Sequence, residues 1–194
     1  MSETINYLVK TIENLGYIGI VLLMILESSF FPFPSEIIMI PAGYLASIGE
    51  MNFILIIIFG ILGSLIGSWF NYFLACRYGR VLLLKIIKEE KIKKLEIFFE
   101  NHGHISTFTG RLIPGVRQYI SFPAGLARMN PLKFSIYTGL GAGIWCTVLT
   151  LLGYVLGKNQ EMLHKYLREI TIITLILVTI LIIGYVYNKR RKKT

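Results

Sequence analysis

Two glutamates, Glu27 and Glu36, and two arginines, Arg111 and Arg117, interrupt stretches of chain that are otherwise apolar. An ionisable side chain at membrane depth costs at least about 2–3 kcal/mol, so it marks a functional site by default. Arginine keeps its proton, and its planar fork matches phosphate oxygens two at a time. Glutamate can change its protonation state with its surroundings, which suits it to proton coupling. Together the four read as an anionic-headgroup site beside a proton-responsive gate. The alternative for the same residues is bracing, with each glutamate paired to an arginine and two segments held together. Helix breakers stand among them: Pro32 and Pro34 between the glutamates, Pro114 and Gly115 between the arginines, and Pro123 and Gly125 just beyond. Prolines terminate helices. A helix that restarts at mid-membrane offers free amides and a partial positive charge to an anion.

These residues must be held by membrane elements. A span needs roughly 20 apolar residues to cross about 30 Å of hydrocarbon. Residues 53–76, 134–157 and 170–187 meet that requirement. The first carries Gly60, Gly63 and Gly67 and the second Gly139, Gly141 and Gly143, small residues that let helices approach closely. Two other apolar segments do not read as simple spans. Residues 16–47 are broken at Pro32 and Pro34, which leaves residues 36–47 about 18 Å of helix, too short to cross. Residues 105–127 contain both arginines and a Pro-Gly pair. Broken backbone at membrane depth survives only when buried in protein or lining a cavity, so both segments are expected to be re-entrant helical hairpins.

Between them, residues 80–100 predict an amphipathic helix on the cytoplasmic membrane surface. Leu84, Ile87, Leu95, Phe98 and Phe99 form its apolar face, and Glu89 with Lys93 and Glu90 with Lys94 have supportive i,i+4 spacing. An internal repeat is visible as well. Pro41-Ala42-Gly43 closes the first broken segment and Pro123-Ala124-Gly125 the second, each followed by a Gly-rich span opening at Phe53 or Phe134. The expected fold is an all-α integral membrane protein. It has two oppositely oriented re-entrant hairpins in an inverted repeat, plus transmembrane helices. A single membrane domain covers 1–194: residues 15–79 form the first half, 80–100 the surface helix and 101–157 the second half. Residues 170–187 are the last span and 189–193 a basic tail.

Composition agrees. Of the 194 residues 54% are hydrophobic and only 16% charged, against about a quarter charged in soluble domains; the mean hydropathy is +0.63. The formal net charge of +9 comes from clusters flanking apolar spans, the pattern of cytoplasmic loops and anionic-lipid contact, and nucleic acid is not expected as a partner. Counting sides from the basic tail puts both termini in the cytoplasm, with Glu50 and Glu161 outside and Lys94 inside. No cleavable signal peptide is expected, because Lys10, Glu13 and Asn14 precede the first apolar stretch and no small-residue cleavage site follows it. Cys76 and Cys146 suggest neither a disulfide framework nor a metal site, and His102, His104 and His164 sit at loop or span edges. No metal or cofactor is expected. The eleven acidic residues are all glutamate, which removes many hydrolase chemistries, and no G-x-S-x-G elbow is present.

The run from Glu27 through Pro32 and Pro34 to Glu36, the two Pro-Ala-Gly triplets, and Gly110-Arg111-Leu112-Ile113-Pro114-Gly115-Val116-Arg117 resemble the DedA family, also called SNARE-associated or VTT. The likeness covers roughly residues 15–157. It implies a cell-membrane protein with two opposed re-entrant hairpins that translocates lipid, with undecaprenyl phosphate or phosphatidylethanolamine as cargo and a link to the proton-motive force. It also implies that the family's acidic and arginine pairs fall on Glu27, Glu36, Arg111 and Arg117. The expected function is a flippase for a phosphate-bearing lipid, most simply undecaprenyl phosphate, with protons as co-partner and no enzymatic step. Assembly with further copies of the chain is left open. A non-transporting scaffold and an intramembrane lipid phosphatase or protease are the readings from other classes.

Overall fold

The computed structural model describes residues 2–29, 34–84, 89–113 and 115–157. The expected span at 170–187, the basic tail, Glu161, Pro32 and Pro114 lie outside the described residues. Seven α-helices account for nearly all of what is described, with no strand among those residues: α1 (Ser2–Ser28), α2 (Glu36–Ser47), α3 (Phe53–Leu74), α4 (Arg80–Leu84), α5 (Glu89–Leu112), α6 (Ser121–Leu126) and α7 (Pro131–Leu156). A five-residue π-helical turn, Ala75–Gly79, joins α3 to α4.

Three helical stretches are long and apolar enough to cross a membrane: Lys10–Ser28, Phe53–Gly79 and Pro131–Leu156. The outer faces of α3 and α7 carry exposed Ile58, Leu62 and Ile66 on one and Ile136, Leu140 and Ile144 on the other. Large apolar side chains at that spacing on an outer surface belong against lipid rather than water. This is a multi-pass membrane protein. Helix α1 extends further toward the N-terminus than residue 16; its two parts meet at Gly16, where φ is 58°, and Ile12 is buried. The two long central helices start alike. Asn52 Oδ1 accepts from the amides of Ile54 and Leu55 at 2.9 and 3.2 Å, and Asn130 Oδ1 from those of Leu132 and Lys133 at 3.0 and 3.2 Å. These side chains satisfy amides that the first turn leaves without partners.

Helix α1 lies on α3, α5 on α7, and α3 against α7; α2 packs chiefly on α7, and α6 on α3. Close approach is made by small residues. A Cβ on Gly63 or Gly67 would press into the Val21 and Ile25 carbonyls of α1. One on Gly43 would overlap the Thr150 carbonyl of α7, and one on Gly125 the Tyr72 carbonyl of α3. The two Pro-Ala-Gly triplets therefore seat their short helices on the long ones. Among the α7 glycines Gly141 makes such an approach against Arg111 Cβ and Gly153 against the Ile40 carbonyl of α2, while Gly139 and Gly143 meet only leucine or isoleucine side chains. The main core joins Ile20 and Met24 of α1, Ile38 and Ile40 of α2, Ile56 of α3 and Leu149 of α7. A smaller one joins Tyr72, Phe99, Ala124 and Phe134.

Helix α5 runs without interruption from its polar first turn to Leu112, so the amphipathic segment and the arm bearing Arg111 are one helix. Its expected ion pairs form, Lys93 to Glu89 at 3.8 Å and Lys94 to Glu90 at 2.9 Å. Its buried stripe starts at Ile92 and continues through Phe99, Gly103 and Thr107, whereas Phe98, placed on the apolar face by its spacing, is 52% exposed. Adjacent residues stand about 100° apart on a helix, so Phe98 and Phe99 cannot share one narrow stripe.

Candidate functional site

Helix α1 ends at Ser28, one residue after Glu27, and α2 begins at Glu36. Helix α5 ends one residue after Arg111, and the chain turns through Gly115, whose φ of 81° suits a residue without a Cβ. The turn brings Arg117 back, its amide bonded to the Ile113 carbonyl at 3.1 Å, and α6 then starts at Ser121. Two helix ends and two helix starts thus converge, with α3 and α7 as walls.

Arg117 is the centre of charge. Its Nη2 lies 3.2 Å from Glu27 Oε1 and 3.3 Å from Glu36 Oε2, and its guanidinium stands 4.9 Å from the centre of the Trp145 ring. A cation over an indole face gains from the ring's quadrupole. Trp145 Nε1 donates to Ser35 Oγ at 3.2 Å, which fixes the ring beside the start of α2. Both expected glutamates therefore pair with one arginine.

Arg111 is held differently. It is buried, and its guanidinium donates to three hydroxyls: Ser64 at 3.3 Å, Ser121 at 3.1 Å, and Ser68. No carboxylate lies within ion-pair distance of it among the described residues. The two halves of the site are joined through hydroxyls. Ser28 Oγ donates to Glu27 Oε2 at 2.8 Å and lies 2.8 Å from Ser64 Oγ. A hydroxyl has one proton, and Ser28 spends its own on Glu27, so Ser64 must donate to Ser28 while accepting from Arg111. The chain of donors runs one way, from Arg111 through Ser64 and Ser28 to Glu27. Asn71 Nδ2 donates to the Ser28 carbonyl at 3.1 Å and to that of Gln118 at 3.5 Å, tying the end of α1 to the turn before α6.

Arg111 Nε, Arg117 Nη1, Asn71 Oδ1 and Thr138 Oγ1 are buried without a protein partner. Both arginines line a cavity of about 10 Å³ together with Glu27, Ser35 and Trp145, room for about one water molecule. The site is closed around its own ion pairs. Of the remaining sequence candidates, Pro34 stands just ahead of α2, Pro123 lies within α6, and Gly125 is the contact of α6 with α3. Sequence reasoning missed Ser64, Ser68 and Asn71, although their i, i+4, i+7 spacing draws a polar stripe down an apolar helix. It also missed Ser28, Ser121 and Trp145.

The fold and this buried, ion-paired centre define a multi-pass α-helical membrane protein built around a polar core. Residues 33–155 match the VTT domain, and the chain belongs to that family, the DedA family that its motifs resemble. It is 34% identical over 196 residues to undecaprenyl phosphate transporter A of Bacillus subtilis, covering 98% of this chain and 97% of that protein. It is also 34% identical over 189 residues to an alkaline phosphatase-like protein of Lactococcus lactis subsp. lactis, covering 91% and 87%. Protein DedA of Escherichia coli is 28% identical over 165 residues, covering 81% and 74%. No solved structure matches the chain.

Proposed function

We propose that this protein carries a phosphate-bearing lipid across the cell membrane, its headgroup handled by Arg111 and Arg117 while its tail stays in lipid. The observation that carries the reading is the unequal pairing of the arginines. Among the described residues both carboxylates sit on Arg117, and Arg111 has only hydroxyls. Protonation of Glu27 and Glu36 frees Arg117 and leaves two guanidinium groups for one phosphate; return of the carboxylates expels it. The cavity must widen for this, which requires the helix ends around it to separate. Likeness to the Bacillus subtilis transporter makes undecaprenyl phosphate the first cargo to test, with phosphatidylethanolamine and other phospholipids as alternatives. A leaflet-resolved flipping assay in proteoliposomes over a panel of headgroups decides among them. In that assay Glu27→Gln and Glu36→Gln each flatten the pH dependence of transport; an unchanged profile in both would remove these residues from proton coupling.

The pairing of elements supports an inverted repeat of two re-entrant hairpins. α1 lies on α3 as α5 does on α7, and α2 crosses to α7 as α6 crosses to α3. With both termini cytoplasmic, cysteine introduced at Glu50 reacts with an impermeant thiol reagent from outside, and cysteine at Lys94 does not. Labelling at 94 from outside reverses the orientation. The name of the Lactococcus lactis relative raises phosphoester hydrolysis as a second reading. In the closed site Ser64, Ser68 and Ser121 accept from Arg111, and the one carboxylate that accepts from a serine, Glu27 from Ser28, is itself held by Arg117. The transport reading therefore expects no inorganic phosphate to be released from undecaprenyl phosphate or p-nitrophenyl phosphate by the purified protein.

A further inference from the structure

A second cluster of charge lies away from the ion-paired centre. Where α3 passes into its π-helical turn, a recess of about 460 Å³ opens between that turn, α5 and the end of α6. The volume is within the usual range for a small-ligand site. Arg77, Arg80 and Arg128 line it with Glu96 and Glu100. Arg80 is already paired, at 2.9 Å to Glu89 and at 3.6 Å to Glu96 within the recess. Among the described residues Arg77 and Arg128 have no such partner, so two cations and the single carboxylate of Glu100 remain for a ligand.

Arg128 is also in a backbone position that its residue type disfavours. Helix α6 ends in a Schellman turn, with the Arg128 amide on the Gly125 carbonyl and the Met129 amide on the Ala124 carbonyl, each at 3.0 Å. Arg128 takes the left-handed residue of that turn, φ 48°, alone among the described non-glycine residues in having a positive φ. Helix α2 ends in the same turn, Gly49 on Ala46 at 3.2 Å and Glu50 on Leu45 at 3.0 Å, and there the left-handed residue is Gly49, φ 85°. Glycine is the residue that turn favours. An arginine standing where its structural twin has glycine carries a backbone cost, and such outliers cluster at ligand sites. The recess is also firmly framed. Cys76 Sγ donates to the Gly125 carbonyl at 3.0 Å, and a Cβ on Gly79 would come within 3.2 Å of Leu126. Single π turns inside helices recur at functional sites. Basic residues that merely face an anionic leaflet need neither a recess nor a strained turn.

We infer that this recess is a second phosphate site, in which Arg77 and Arg128 grip a phosphomonoester at the membrane surface. It stands apart from the buried pair and does not rest on the transport reading. The test is calorimetric titration of the full chain, in uncharged detergent, with dihexanoyl phosphatidic acid. Saturable binding is expected, weakened about tenfold or more by Arg77→Gln and by Arg128→Gln, the loss of a charge-assisted contact. Arg128→Gly weakens binding equally while leaving the melting temperature unchanged or raised, a combination that a structural role would not give. Arg117→Lys retains binding in the recess, so this site and the buried one fail separately. Displacement by inorganic phosphate at similar concentration makes free phosphate the ligand, and dependence on the acyl chains makes it lipid. Absence of saturable binding, wild-type affinity in both Gln variants, or an equal loss in Lys91→Gln, which removes an exposed charge outside the recess, would overturn the assignment.

Discussion

Replacing Arg117 by lysine should cut lipid transport about a hundredfold or more while the protein stays folded, the scale expected when charge-assisted contacts worth roughly 2–3 kcal/mol are lost from the transport barrier. Lysine keeps the positive charge, so Glu27 and Glu36 retain a counter-ion. It loses the flat guanidinium that stands over Trp145 and meets both carboxylates at 3.2 and 3.3 Å, and an ammonium point charge cannot present two parallel donors to a phosphate. Arg117→Ala is a different perturbation. It strands Glu27, only 3% exposed, and removing one partner of a buried pair costs about 3–5 kcal/mol, so that variant should lose its fold. The measurements are leaflet-resolved flipping and thermal unfolding on the same preparations. Wild-type transport by the Lys variant would show that the fork is not used. A Lys variant that unfolds as readily as the Ala variant would make Arg117 a brace.

Gly43→Ala should destabilise the protein by about 1–3 kcal/mol, as expected for overpacking, and larger side chains at that position should prevent folding. The new methyl group would run into backbone, the Thr150 carbonyl and the Gly153 Cα at 3.1 Å, and backbone inside a packed helix cannot rotate away as a side chain can. Gly139→Ala is the control, because its Cβ would meet only the Leu65 methyl groups at 3.8 Å and should change little. Melting temperatures in one detergent give the comparison. Equal losses in the two variants would mean that the seating of α2 on α7 does not limit stability.

The charged residues of the centre were legible because lipid makes them conspicuous. Four ionisable side chains beside prolines in apolar sequence are too costly to stand there without a task. Their pairing was not legible. One glutamate per arginine is the simplest match, but α1 ends and α2 begins beside Arg117, and that depends on helix crossings which residue spacing does not encode. The hydroxyls around Arg111 were hidden for another reason. Serine and threonine inside an apolar helix usually satisfy themselves on the carbonyl four residues back, as Thr147 does on Gly143 and Thr150 on Cys146, both at 2.7 Å. Ser64 and Ser68 look the same in sequence, and only the approach of α5 at Gly141 makes them ligands of an arginine. The glycines misled in the opposite sense: Gly63 and Gly67 of α3 and Gly141 and Gly153 of α7 are close approaches, while Gly139 and Gly143 face only the ends of leucine and isoleucine side chains.

The one-water cavity has a consequence for the cell's energy. A protein that places acids and bases in the middle of a membrane risks becoming a wire, since a file of connected waters conducts protons far faster than any lipid moves. With the carboxylates clamped on Arg117 and space for about one water beside them, the resting centre works as an insulator. In the proposed cycle current flows only when the clamp breaks, so that reading has the electrical gradient drawn on when cargo moves and spared when it does not.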